Sequence, residues 1–259
     1  MHGTLVETST QQTWLWIGTI GMALGAVAIY VLGGKGRGQH HRITSVFVCA
    51  IAACMYLLMA LGQGVAIFSE TTVALTRDGL DVTSAFNLVY WARYLDWIIT
   101  TPLLLIGLLT LAIRPSVGTE AARDRHALIA GVIGADVLMI VTGFIGTVSF
   151  VPMHKYMWFA VSCGFFLAVL AAIWGPVRAA AAEQGAEVAG LYSRLAGILS
   201  VLWFIYPILW LLGTEGTGTI SRNAEVITFA IIDLTAKVVF GILLVTGVQK
   251  LSEHAHAHA

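Results

Sequence analysis

Seven long apolar runs, each broken by few or no charges, take up most of the chain. They fall roughly at Trp14–Gly33, Ile43–Phe68, Phe86–Leu111, His126–Thr147, Met153–Trp174, Leu191–Leu212 and Ala224–Leu251. About 20 mainly apolar residues are needed for a helix to cross the hydrocarbon core of a bilayer. Inside lipid a segment must satisfy its own backbone hydrogen bonds, so each run predicts an α-helix. The connections are short and rich in turn residues, as in Gly33-Gly34-Lys35-Gly36 and Gly213-Thr214-Glu215-Gly216. Ser69–Ser84 is the longer exception. It alternates polar and apolar residues around Asp78-Gly79, which predicts a small hairpin. The expected architecture is an all-α membrane protein, a seven-transmembrane-helix bundle. It forms one domain over 1–259, with flexible ends at 1–12 and 252–259.

Composition narrows this further. The 259 residues are 58% hydrophobic and 11% charged, against roughly 25% charged in a soluble domain. An ordinary soluble enzyme and a disordered chain are both excluded. A formal net charge of zero gives no basic field for nucleic acid. Cys49, Cys54 and Cys163 all sit in apolar runs and form neither a disulfide framework nor a metal cluster. The first twelve residues are polar and include Glu7, unlike a cleaved signal peptide. Loop charges set orientation. Lys35, Arg37, Arg42, Arg114, Arg123, Arg125, Arg178, Arg194 and Lys250 fall on one side; Arg77, Lys155 and Arg222 fall on the other. The first side is therefore expected to be cytoplasmic. That places the N-terminus outside and the C-terminus in the cytoplasm of a multi-pass plasma-membrane protein.

Charges within spans are costly and point to function. Five stand out: Arg93 and Asp96 in the third span, Asp136 in the fourth, Asp233 and Lys237 in the seventh. A structural ion pair locking helices is the plain alternative for any one of them. The spacing argues against it for the set. Asp233 and Lys237 lie four residues apart, and Arg93, Asp96 and Thr100 step by three and four, so each group shares a helix face. One amine and two carboxylates meeting in the membrane suit a protonated Schiff base, the product of a lysine and an aldehyde cofactor. Trp203, Tyr206, Pro207 and Trp210 in the sixth span form an aromatic stripe. Such stripes are often core packing, but here an elongated apolar ligand clamped between rings fits as well. Pro207 is expected to break the hydrogen-bond ladder of its helix.

The stretch Ala92-Arg93-Tyr94-Leu95-Asp96-Trp97-Ile98-Ile99-Thr100-Thr101-Pro102 resembles the third-helix signature of microbial (type 1) rhodopsins. Asp233-Leu234-Thr235-Ala236-Lys237 resembles their retinal-attachment site, and Trp203–Trp210 resembles their sixth-helix pocket. The similarity runs through all seven spans and is strongest to bacteriorhodopsin-like proton pumps. It implies all-trans retinal bound covalently to Lys237. Asp96 would be the primary counterion and proton acceptor and Asp233 the second counterion, with Thr100 bonded to Asp96 and Arg93 a movable cation. Tyr94, Glu215 and Glu225 match the outer proton path, although the acids also read as solvated helix ends. Trp97, Thr101, Leu104, Asp136, Met139, Gly143, Trp158, Phe159, Ser162, Phe166, Trp203, Tyr206, Pro207 and Trp210 match the retinal pocket. Asp136 would pair with Thr101.

One position departs from the best-known pumps. The cytoplasmic donor carboxylate, eleven residues after the acceptor, is Gly107 here. Acceptor, threonine and donor positions read Asp96, Thr100, Gly107, a pattern also found in bacterial family members described as proton pumps. The implied function is a light-driven outward proton pump whose Schiff base regains its proton without a carboxylate donor. Ser45 is a candidate for lining that path. A sensory rhodopsin signalling through a transducer is the alternative. Ala236 and Leu199 stand where such sensors tend to carry Thr and Tyr. Halide, sodium and inward pumping fit less well, and no nucleophile–base pair, metal cluster or phosphate loop supports an enzyme. Expected partners are membrane lipids, protons and further copies of the chain, as a trimer by preference or a pentamer. His40 and His41 read as a solvated loop near the cytoplasmic entrance. His254, His256 and His258 read as a solvated tail.

Overall fold

The structure is a computed structural model, and it describes residues 8–33, 38–77, 79–113 and 119–257. Glu7, Lys35, Arg37, Asp78, Arg114 and His258 lie outside the described residues. Among the described residues, seven helices are long and apolar enough to cross a membrane. They are α1 (Ser9–Leu32), α2 (Gln39–Ala60), α3 (Trp91–Ala112), α4 (Thr119–Val148), α5 (Pro152–Ala182), α6 (Ala186–Leu212) and α7 (Arg222–His254). The only sheet among the described residues is an antiparallel hairpin of β1 (Ala66–Thr76) and β2 (Gly79–Val89) between α2 and α3.

The helix starts are set locally. The Thr8 hydroxyl accepts from the Gln11 N–H, and the Ser221 hydroxyl accepts from Ala224 N–H. Each satisfies one of the free donors that open a helix. α1 begins at Ser9, and the helix of α7 continues beyond its spanning stretch from His254 to Ala257. Helix therefore covers part of both ends that the sequence reading leaves flexible. The hairpin is longer than expected. Its strands take residues 66–89, so α2 stops at Ala60 rather than Phe68 and α3 starts at Trp91 rather than Phe86. Ile67 and Phe86 extend the apolar runs in sequence, yet they lie exposed on strands.

Close packing between helices holds the frame. A Cβ at Gly18 would overlap the Tyr56 ring on α2, and one at Gly25 would overlap Val238 on α7. Small residues allow helices to approach in a bilayer, where apolar burial alone does not drive association. Pro207 has no N–H to give the ladder, yet α6 stays helical from Ala186 to Leu212. The break is in α5 instead, where Gly175 and Pro176 sit in a π-helical turn over Ile173–Val177. The Tyr192 hydroxyl of α6 donates to the Ile173 carbonyl there at 2.6 Å. That carbonyl also accepts from the Arg178 N–H across the π turn, so the neighbouring helix adds a second bond at the kink.

Candidate functional site

α7 carries a second π-helical turn, Thr235–Val239, with Lys237 at its centre. Such turns recur at functional sites because they re-aim a side chain. Lys237 is buried, and its Nζ donates to Asp233 Oδ1 at 2.7 Å. It also makes an ion pair with Asp96 Oδ2 at 2.9 Å. The four-residue spacing of Asp233 and Lys237 thus becomes a direct contact, and α3 brings in the second carboxylate. An isolated charge at this depth would be very costly, so the three groups stabilise one another.

The two carboxylates differ. Asp233 accepts from Lys237, from the hydroxyls of Tyr56 and Tyr206 at 2.7 Å each, and from the Trp97 indole at 3.3 Å. Donors from four helices, α2, α3, α6 and α7, fill its acceptor capacity. Asp96 accepts only from the Thr100 hydroxyl, at 3.2 Å, besides its contact with Lys237. Thr100 shares that hydroxyl with the Asp96 carbonyl at 2.8 Å. Protonating Asp96 disrupts fewer hydrogen bonds than protonating Asp233. Tyr56 was not singled out from sequence; a lone tyrosine in an apolar run gives no local signal of its cross-helix partner.

Beside this cluster lies a mostly apolar cavity walled by four helices. α3 gives it Trp97 and Thr101; α4 gives Met139 and Gly143; α5 gives Phe159, Ser162 and Phe166; α6 gives Trp203, Tyr206, Pro207 and Trp210. Tyr94, Ile140 and Cys163 also line it, beyond the expected set. Phe159 and Trp210 stack at 4.5 Å, while Trp97 and Tyr206 meet edge to face at 5.1 Å. Leu104, Asp136 and Trp158 are not among the lining residues. Leu104 belongs to the apolar core, and the Trp158 Cβ packs beside Gly146. Asp136 is fully buried and accepts from the Thr101 hydroxyl at 2.7 Å, which ties α4 to α3 behind the cavity wall. Trp97 and Tyr206 both line the cavity and hydrogen-bond Asp233, so the apolar chamber adjoins the Lys237 amine. An elongated apolar aldehyde fits this donor set and lining.

At the hairpin end, Arg93 is 2% exposed and its guanidinium meets Glu225 Oε1 at 3.3 Å. It lies over the Phe229 ring at 4.1 Å. Glu225 Oε2 accepts from the backbone N–H and the hydroxyl of Thr214, each at 2.9 Å. Neither Glu215 nor Glu225 is a solvated helix end: they are 4% and 1% exposed. Burial, and next the nearby Glu225 charge, push the Glu215 carboxyl up to about 7. Thr147, which the sequence reading passed over, accepts from the Trp210 indole at 2.7 Å and lies 2.5 Å from the Tyr94 hydroxyl.

The opposite end is mostly apolar. Gly107 is surrounded by core; a Cβ there would lie 3.0 Å from Leu244 Cδ2. Ser45 faces α7 near Gly241. His41 is helical and 3% exposed, not part of a solvated loop, and its Nδ1 has no hydrogen-bond partner. His41 and Ser45 stand one turn apart on α2.

The fold and site define a seven-helix membrane protein with a buried lysine, set between two carboxylates at the edge of an aromatic chamber. A bacteriorhodopsin-like protein family model matches residues 9–251. The bacteriorhodopsin of Haloterrigena sp. (strain arg-4) is 42% identical over 241 residues, covering 90% of this chain and 86% of that protein. Among solved structures, the thermophilic rhodopsin of Rubrobacter xylanophilus is 36% identical with a TM-score of 0.79, covering 93% of this chain and 97% of that one. The light-driven proton pump rhodopsin of Coccomyxa subellipsoidea is 32% identical with a TM-score of 0.77, with the same shares. The chain belongs to the bacteriorhodopsin-like family and is a multi-pass retinal protein.

Proposed function

We propose that the protein is a light-driven outward proton pump in which retinal is carried on Lys237. The observation that carries this reading is the unequal pair of carboxylates around the Lys237 amine. When bound as a Schiff base, retinal supplies light absorption and an isomerisation that lowers the hold of the Lys237 nitrogen on its proton. With retinal bound, Asp96, which has fewer donors than Asp233 and pairs with the free Lys237 amine, would be the group that receives that proton. Asp233 stays ionised because Tyr56, Tyr206 and Trp97 all point at it. Trp97, Trp203 and Tyr206 hold the polyene in line and exclude water from the chamber. Arg93, ion-paired with Glu225, and the buried Glu215 carboxyl form the route by which a proton would leave toward the hairpin side. Gly107 offers no proton for the return step. Ser45, which faces α7 near Gly241, is the candidate for lining the path by which the proton returns from water.

The test is a flash experiment on retinal-loaded protein in sealed vesicles of known orientation, with a pH dye on one side. Proton appearance on the hairpin side after each flash is expected, with its loss in Asp96→Asn. Deprotonation of the Lys237 nitrogen with no net proton movement would overturn pumping and favour the sensory reading.

A further inference from the structure

Two regions already described are joined by a single hydrogen-bond chain. The Trp210 indole N–H donates to Thr147 Oγ1 at 2.7 Å, and that oxygen lies 2.5 Å from the Tyr94 hydroxyl. The Tyr94 hydroxyl reaches Glu215 Oε1 at 3.3 Å, and Thr147 Oγ1 also reaches its own helix at the Gly143 carbonyl, 3.2 Å away. All three polar side chains between pocket and acid are buried, and Glu215 Oε2 has no hydrogen-bond partner. Thr147 additionally anchors the hairpin, because Asn87 donates to its carbonyl at 2.6 Å.

Each hydroxyl owns one proton, so the chain has two consistent directions. With Glu215 ionised, Tyr94 donates to the carboxylate, Thr147 donates to Tyr94, and Trp210 donates to Thr147. Every bond then points toward the charge, and bonds in such a chain strengthen one another. With Glu215 neutral, its O–H donates to Tyr94, Tyr94 donates to Thr147, and Thr147 turns back to the Gly143 carbonyl. The Thr147 oxygen must then serve both Tyr94 and Trp210, and the indole bond weakens. We propose that Thr147 is a positioning residue that couples the protonation of Glu215 to the Trp210 wall of the chamber by reversing this chain. The groups facing Glu215 are Tyr94 and Arg93 from α3, Glu225 and Arg222 from α7, and Lys155 from α5. The Lys155 ammonium donates to the Glu215 carbonyl at 2.9 Å. Burial together with the Glu225 charge keeps the proton on Glu215 up to about pH 7, so both directions are populated near neutrality. The inference deepens the pump reading by giving the outer acid a line to the chromophore wall. It concerns the dark state and rests on that reading only for its use.

The test is a dark pH titration of retinal-loaded protein with two vibrational readouts. The carboxylic C=O band, assigned by its loss in Glu215→Gln, follows Glu215. The indole N–H band, assigned by difference against Trp210→Phe, follows Trp210. In the unmodified protein both bands should shift with one midpoint, the indole bond strengthening as pH rises. Glu215→Gln should flatten the indole shift. Thr147→Val should abolish the indole shift while the carboxyl still titrates, and Thr147→Ser should restore it. An indole band that stays fixed while Glu215 titrates would overturn the proposal, as would an undiminished shift in Thr147→Val. If Thr147→Val does not fold, the unmodified protein and Glu215→Gln still decide. A failed flash experiment with a positive titration would sink pumping and leave this coupling standing.

Discussion

Gly107→Asp places a carboxyl where the chain carries none, and the structure sets the size of the effect. The position lies eleven residues beyond Asp96 on α3, about 16 Å along the axis and on the same face. The new Cβ would sit 3.0 Å from Leu244 Cδ2, the far end of a flexible side chain, so a small rotation makes room. Replacing glycine within a helix returns a few tenths of a kcal/mol. Burying a carboxyl with no partner costs about 1–3 kcal/mol, which leaves a folded but weakened protein. On the proposed reading, the native chain draws its return proton from water. When uptake is limiting, its rate should fall about tenfold per unit rise in pH, because it follows proton concentration. A preloaded internal acid removes that dependence and should speed return on the order of 10²-fold at alkaline pH. The assay is flash photolysis of the retinal-loaded protein, following the visible band from about pH 6 to 8. Gly107→Asn is the control, with the same shape and no proton to give. A native decay independent of pH would refute the reasoning. So would equal acceleration by the Asn variant.

Three further outcomes follow from the same contacts. The Glu215 carboxyl binds its proton more tightly folded, at about 7, than unfolded, at 4.5. Its contribution is therefore full below the unfolded value and declines as pH rises through about 7, by on the order of 3 kcal/mol; thermal bleaching should show this slope, and Glu215→Gln should flatten it. Thr101→Val removes the one hydroxyl that holds the buried Asp136 carboxyl. It should cost about 1–3 kcal/mol, read as a drop in bleaching temperature that Thr101→Ser avoids. Arg93→Gln strips Glu225 of its cation inside the protein. It should cost about 3–5 kcal/mol and delay proton release after a flash, whereas a normal release time would remove Arg93 from the path.

Local patterns made much of this molecule legible. The seven spans are written as apolar runs, and the lysine cluster as i, i+3 and i, i+4 steps that a helix must turn into shared faces. The hairpin boundaries are hidden because strand residues such as Ile67 and Phe86 continue an apolar run without any change of composition. The helical course of α6 through Pro207 and the kink at Gly175-Pro176 are not written locally; at the kink, Tyr192 of α6 donates to the Ile173 carbonyl. Tyr56, Thr147 and the buried His41 escaped for a related reason. Each acquires its meaning from a partner or a packing face on another helix, up to 177 residues away for Tyr56 and Asp233. Spacing along one helix carries no trace of such a pairing.

The central claim is that light moves protons out of the cell through Lys237 and Asp96. Its most direct test is the pH of an unbuffered suspension of cells that express the chain with added retinal, recorded under continuous light. The account predicts acidification of the medium that a protonophore abolishes and that Asp96→Asn loses. A coloured protein whose illumination leaves the medium unchanged would contradict it.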